Sequence, residues 1–155
     1  MFLYSLLALA VVTALIFAAP LKAKVWATLA VVAAGALWAS ATAVGVLAGG
    51  HTVRLWATDV FLFGSDAGSM DPLSALFALI VSVGAVAAVL YSRGYLAHYL
   101  GRKSPAHISL HYTALATMFY AMLGVVTSEG GFSFLFFWEL MTVASFLLIL
   151  FDAER

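Results

Sequence analysis

Cysteine is absent from this chain, which excludes disulfides, thiolate-held metals and cysteine-ligated clusters and leaves the redox compartment open. Charge is nearly as scarce. Only 9% of the 155 residues are charged, against about 25% in an ordinary soluble domain. Seven basic residues balance seven acidic ones, so the electrostatic footprint of a nucleic-acid binder is missing. The longest polar interval, 92–111, is about twenty residues, too short to hide a soluble domain. No phosphate loop, nucleophile elbow or metalloprotease signature occurs. Proline is limited to Pro20, Pro72 and Pro105, all at segment boundaries, where a missing N–H does least harm. What remains is 65% hydrophobic with a mean hydropathy of +1.11. This is an integral membrane protein.

Apolar run length predicts a single all-α membrane domain over 1–155, with about five transmembrane helices at 2–19, 25–48, 72–91, 112–127 and 132–151. The first run is no secretory signal by charge order: no Lys or Arg precedes it, while Lys22 and Lys24 follow it. It is read as a retained helix. The tight 20–24 connection predicts antiparallel neighbours. In the 49–71 connection, residues 52–56 alternate weakly and Gly64-Ser65-Asp66 supplies turn chemistry, so a short hairpin or re-entrant segment is expected there. The first and third connections hold Lys22, Lys24, Arg93, Arg102 and Lys103, five of the seven basic residues. The second and fourth hold only Arg54, with Asp59, Asp66, Asp71 and Glu129. By the positive-inside rule the N-terminus lies outside and the C-terminus is cytoplasmic.

Glu139 is the only carboxylate inside a predicted span. At 1.5 Å per residue it sits roughly 10–12 Å from the nearer helix end. An ionisable group at that depth costs about 2.5–3.5 kcal/mol on insertion scales and marks ion or proton pathways. Burial favours the neutral carboxyl and a nearby cation the charged one, so an intramembrane glutamate held between them can exchange a proton. All Lys and Arg residues fall outside the predicted spans, so the cation must come from another chain or the group is largely neutral. Thr142 shares its helical face and Ser145 lies nearby; their hydroxyls can hold water beside the carboxyl or bond back to helical carbonyls. Asp71 followed by Pro72 is a helix-start signal and is read as structural.

Gly35, Ala39 and Ala43 recur every four residues, the spacing of a close-packing helix face. His107 and His111, four apart, suit a metal or a proton relay, but no third ligand is apparent and both read as interfacial histidines. No metal site is assigned, no pair of intramembrane histidines is placed to hold a haem, and no cofactor is expected in this chain. Trp26, Trp56 and Trp138 read as belt aromatics.

The stretch MDPLSALFALIVSVGAVAAVLYSRGYL at 70–96 resembles the start of antiporter-like proton-translocating subunits. These occur in respiratory complex I, multisubunit cation/proton antiporters and membrane-bound hydrogenases. FLFFWELMTVASFLLILFDAE at 134–154 is similar to their fifth membrane helix, and KSPAHISLHY at 103–112 leans toward the hydrogenase-4 component B branch. The resemblance implies that Glu139 matches the family's functional glutamate, which pairs with a lysine two helices later. It implies a membrane subunit, itself non-catalytic, of a hydrogenase or quinone-oxidoreductase complex in the plasma (inner) membrane, translocating H⁺ or Na⁺. Its partners would be other membrane subunits, among them a chain supplying the remaining helices and the lysine, through a split gene unless the product is truncated. Two readings of other classes stand beside it: a structural or assembly subunit, in which Glu139 is a pairing residue, and a small homo-oligomeric cation exporter.

Overall fold

Backbone polar groups find no water in a bilayer's core, so apolar chain at that depth becomes helix. The computed structural model describes residues 11, 13–20, 23–60, 64–99 and 102–151. Residues 13–18 are helical (α1) and are followed by α2 (Lys24–Gly49), β1 (Val53–Val60), β2 (Gly64–Met70), α3 (Pro72–Ala97), α4 (Pro105–Thr127) and α5 (Gly131–Leu150). Four of these, α2 to α5, are long and apolar enough to cross a membrane. Most of the predicted first span, with Lys22, Gly101 and the 152–155 tail, lies outside the described residues.

The core is a seam of small residues. Val32, Ala36, Ala39, Ala43 and Val46 of α2 are buried, as are Ala75, Ala78, Ser82, Ala85 and Val89 of α3. Both series advance by alternating threes and fours, the spacing that lets antiparallel helices pack along their length. Lipid offers no hydrophobic drive for this contact, so close approach through alanine supplies it by dispersion and fit. Ala39 and Ala43 thus lie in the buried core, as the spacing suggested. Gly35 instead faces α4, where a Cβ would collide with the Tyr120 ring, whose hydroxyl donates to the Val31 carbonyl at 2.8 Å.

The 49–71 connection is an antiparallel hairpin, running from Val53 opposite Met70 to Val60 opposite Gly64, with an irregularity between Arg54 and Trp56. It docks on the α4–α5 turn. Gly68 bridges Ser128, and the Glu129 N–H donates to the Ala67 carbonyl at 2.9 Å.

Helix starts and ends differ from run length where polar residues enter the helix. α4 begins at Pro105, seven residues before the predicted 112, because Ser104 caps it, accepting the His107 N–H at 3.4 Å. The Ser-Pro start was overlooked because the turns that follow carry histidines and serine. α3 likewise continues past 91 to Ala97, its Ser92 hydroxyl turned back onto the Val89 carbonyl at 2.7 Å. Asp71 accepts the Ser74 N–H at 2.6 Å, with Pro72 in the first helical position.

α5 has no cap of its own, since Gly130 carries no side chain. Its cap comes from 67 residues away: Asp66 of β2 accepts the Ser133 N–H at 2.8 Å and the Ser133 hydroxyl at 3.0 Å. Both residues are buried, Asp66 at 5% exposure and Ser133 at 0%. A Cβ at Gly130 would overlap the Asp66 carboxylate, so glycine is required for the approach. A carboxylate at a helix N-terminus also meets the positive end of the helix dipole.

Two measurements check these caps. Asp66→Ala should cost about 1–3 kcal/mol, because the buried Ser133 N–H loses its acceptor. Asp66→Asn, which keeps an acceptor, should cost less; equal thermal stability of the Ala variant and wild type in detergent would refute the cap. The bond from Ser74 lowers the Asp71 pKa from its ordinary 3.8. Its contribution is therefore complete above that ordinary value and vanishes as pH falls through the lowered one. Asp71→Ala should be destabilised by about 1 kcal/mol at neutral pH, and the difference should close on acidification; a difference independent of pH would count against it.

Candidate functional site

α5 is the edge of the described bundle. Only 11% of its central window is buried, against 50% for α4. Ser133 and Ala144 are its buried residues. Leu135, Trp138, Val143, Phe146 and Ile149 are exposed, and Glu139 stands exposed among them. Eight residues separate it from Gly131, a height of about 12 Å along the axis. Among the described residues no hydrogen bond or ion pair reaches Glu139, and α2 to α5 offer it no basic neighbour.

The two hydroxyls on the same helix are turned inward on the backbone. Thr142 Oγ1 donates to the Trp138 carbonyl at 3.0 Å, and Ser145 Oγ to the Thr142 carbonyl at 2.9 Å. Their protons are committed to α5 itself, leaving lone pairs as their remaining capacity toward the carboxyl. Asp71 and Pro72 sit at the hairpin end of α3, apart from Glu139's helix, in the capping arrangement described above.

The basic residues serve helix ends. Lys24 Nζ, on a side chain only 3% exposed, donates to the carbonyls of Ile16 at 3.0 Å and Phe17 at 2.7 Å. It thereby satisfies the C-terminal turn of α1, where a cation also meets the negative dipole end. Lys103 Nζ donates to the Phe151 carbonyl at the end of α5 and lies 4.6 Å from the Phe151 ring centroid. Arg93 stacks over Trp26 at 5.4 Å. On the hairpin side a recess of about 480 Å³ is lined by Arg54, Ser65, Asp66, Glu129 and Gly130, with the Asp66 carboxylate held by the α5 cap.

The histidine pair divides. His107 is exposed, its Nδ1 2.8 Å from Ser104 Oγ. His111 is instead 9% exposed, packed on Phe151 at 4.8 Å between ring centroids and on Tyr95 at 6.0 Å. The helix begins about two turns earlier than run length implied, which places His111 within it.

No protein-family model matches the chain. Similarity to named proteins covers about half of it. A protein of Staphylococcus saprophyticus subsp. saprophyticus named antiporter subunit mnhA2 is 35% identical over 82 residues, which is 53% of this chain and 10% of the relative. Its namesake in Staphylococcus aureus is 36% identical over 80 residues, 52% of this chain and 9% of the relative. The chain spans about a tenth of the length of the curated relatives it matches. With four helices of spanning length and apolarity, it is a multi-pass membrane protein similar over half its length to antiporter subunits.

Proposed function

We propose that this chain forms part of a cation/proton antiporter subunit in which Glu139 is the proton-exchanging carboxylate. One observation carries the reading: an unpartnered glutamate at membrane depth on an exposed apolar helix face. Lipid cannot solvate that group, so the face is to be covered by further helices that bring a cation or hydrogen-bond donor to it. The greater length of the antiporter-subunit relatives supports such neighbours. Two states then interconvert, a carboxylate paired to the incoming cation and a protonated carboxyl, and alternation between them couples ion to proton.

The same chemistry would serve a redox-driven hydrogenase or quinone-oxidoreductase complex, but the names of the relatives favour cation exchange. The distribution of Lys and Arg favours an orientation with the hairpin outside, and the plasma membrane is the location that goes with this reading. Its partners are the membrane subunits that cover α5.

Two outcomes are expected in the assembled complex. Glu139→Gln should lower cation-driven proton exchange in membrane vesicles at least tenfold while the complex assembles normally. Normal exchange with normal assembly would refute the role, and lost assembly would make Glu139 a structural pairing residue. The natural absence of cysteine makes single-cysteine cross-linking clean. Cysteine at Val143 or Phe146, on the exposed face, should cross-link to helices beyond those described, and cysteine at buried Ala144 should not. Labelling by lipid-soluble reagents alone at Val143 and Phe146 would place the face against lipid.

A further inference from the structure

His111 is a buried titratable side chain of α4 that the capping scheme does not explain. Lys24 serves the end of α1, and the Tyr120 hydroxyl serves the Val31 carbonyl. His111 is nine-tenths buried, and its Nδ1 has no hydrogen-bond partner. For packing alone, phenylalanine or leucine would serve better there, because an unpaired buried polar atom is destabilising. Phe151 and Tyr95 show that the surroundings accept aromatic carbon.

Its position is specific. Six residues from Pro105, it sits about 9 Å into α4 from the end opposite the hairpin. One helical turn nearer that end is exposed His107, at the i−4 position and therefore on the same face. Its ring packs on Phe151, at the foot of Glu139's own helix. The groups around it are Tyr95 of α3, Tyr112 of its own helix and Phe151 of α5. Lys103 lies behind the Phe151 ring, with Tyr99 against the same ring. Among the described residues no carboxylate is in these ring contacts. An imidazole nitrogen left unpaired is a place where a proton can be taken up while the other nitrogen releases one.

We propose that His107 and His111 form the entrance of the proton path on the side opposite the hairpin, His107 exchanging with water and His111 handing protons into the bundle toward Glu139. This rests on the antiport reading above. The transfer balances within the ring: one nitrogen takes up a proton, the other releases one, and the tautomer then resets. Between His111 and Glu139 lies a height on the order of 12–18 Å, counted at 1.5 Å per residue. The Ser145 and Thr142 oxygens stand at intermediate heights on α5, with lone pairs free to accept from protonated carriers.

The test uses membrane vesicles holding the whole assembly, with Na⁺ or K⁺ as the probe cation and a pH-sensitive dye as the readout. His111→Gln should lower exchange at least tenfold and flatten its pH profile, and His107→Gln should lower it several-fold. In His111→Ala, added imidazole should restore much of the rate; an equal concentration of benzene-like filler should not. Wild-type rate and profile in His111→Gln, with Glu139→Gln inactive, would overturn the relay and leave the antiport reading standing. Full activity in Glu139→Gln would instead remove the antiport reading. Should both His111 variants be absent from the membrane, or should imidazole fail to rescue, His111 is a packing residue and the relay is wrong.

Discussion

Every helix leaves unpaired N–H groups at one end and unpaired carbonyls at the other, and a chain with this few charges has little with which to satisfy them. It spends its charges there. Asp71 takes the first turn of α3 and Asp66 that of α5; Lys24 takes the last carbonyls of α1 and Lys103 the last of α5. Carboxylates stand at N-termini and ammonium groups at C-termini, each on the favourable end of a helix dipole. This arrangement lets α3 and α5 start, and α1 and α5 stop, with backbone groups at those ends paired.

Asp66 has the widest consequences. By reaching from the hairpin to the first turn of α5, it joins three parts of the molecule: β2, the α4–α5 turn and the helix that bears Glu139. The backbone bond from Glu129 to Ala67 and the Gly68–Ser128 bridge reinforce the same junction. The hairpin is therefore a clamp that sets where α5 begins and so how deep Glu139 sits. Glu139 takes no part in this capping. It caps nothing and pairs with nothing described, and its helix is the least buried of the four spanning ones. A charge left without structural work, on a face left without cover, is the physical basis for assigning it a functional one.

Much of this was legible along the chain because it is local. Apolar run length marked the spans, Asp71 and Pro72 lie next to the helix they start, and a hairpin was expected in the 49–71 connection, although Gly64-Ser65-Asp66, read there as turn residues, belong to strand β2. Glu139 stood out because one carboxylate in an apolar run is visible without coordinates. The start of α4 is set by the Ser104-Pro105 cap rather than by hydropathy, because the first two turns carry histidines and serine. The Asp66–Ser133 contact had no local signal at all. Only Gly130, a poor cap before a helix, hinted that something distant must take its place.

What the amino-acid order determined by itself is membrane residence, the approximate positions of four apolar helices and the presence of a carboxylate within one of them, because these follow from the transfer of side chains between water and hydrocarbon. What tertiary structure decided is which groups are satisfied and which are left over. It sent the Thr142 and Ser145 hydroxyls to their own helix, packed the His111 ring on Phe151, gave α5 its cap from the hairpin and left the Glu139 face open. Those outcomes depend on which helix lies beside which, and hydrogen bonds and burial are made across that distance rather than along the chain.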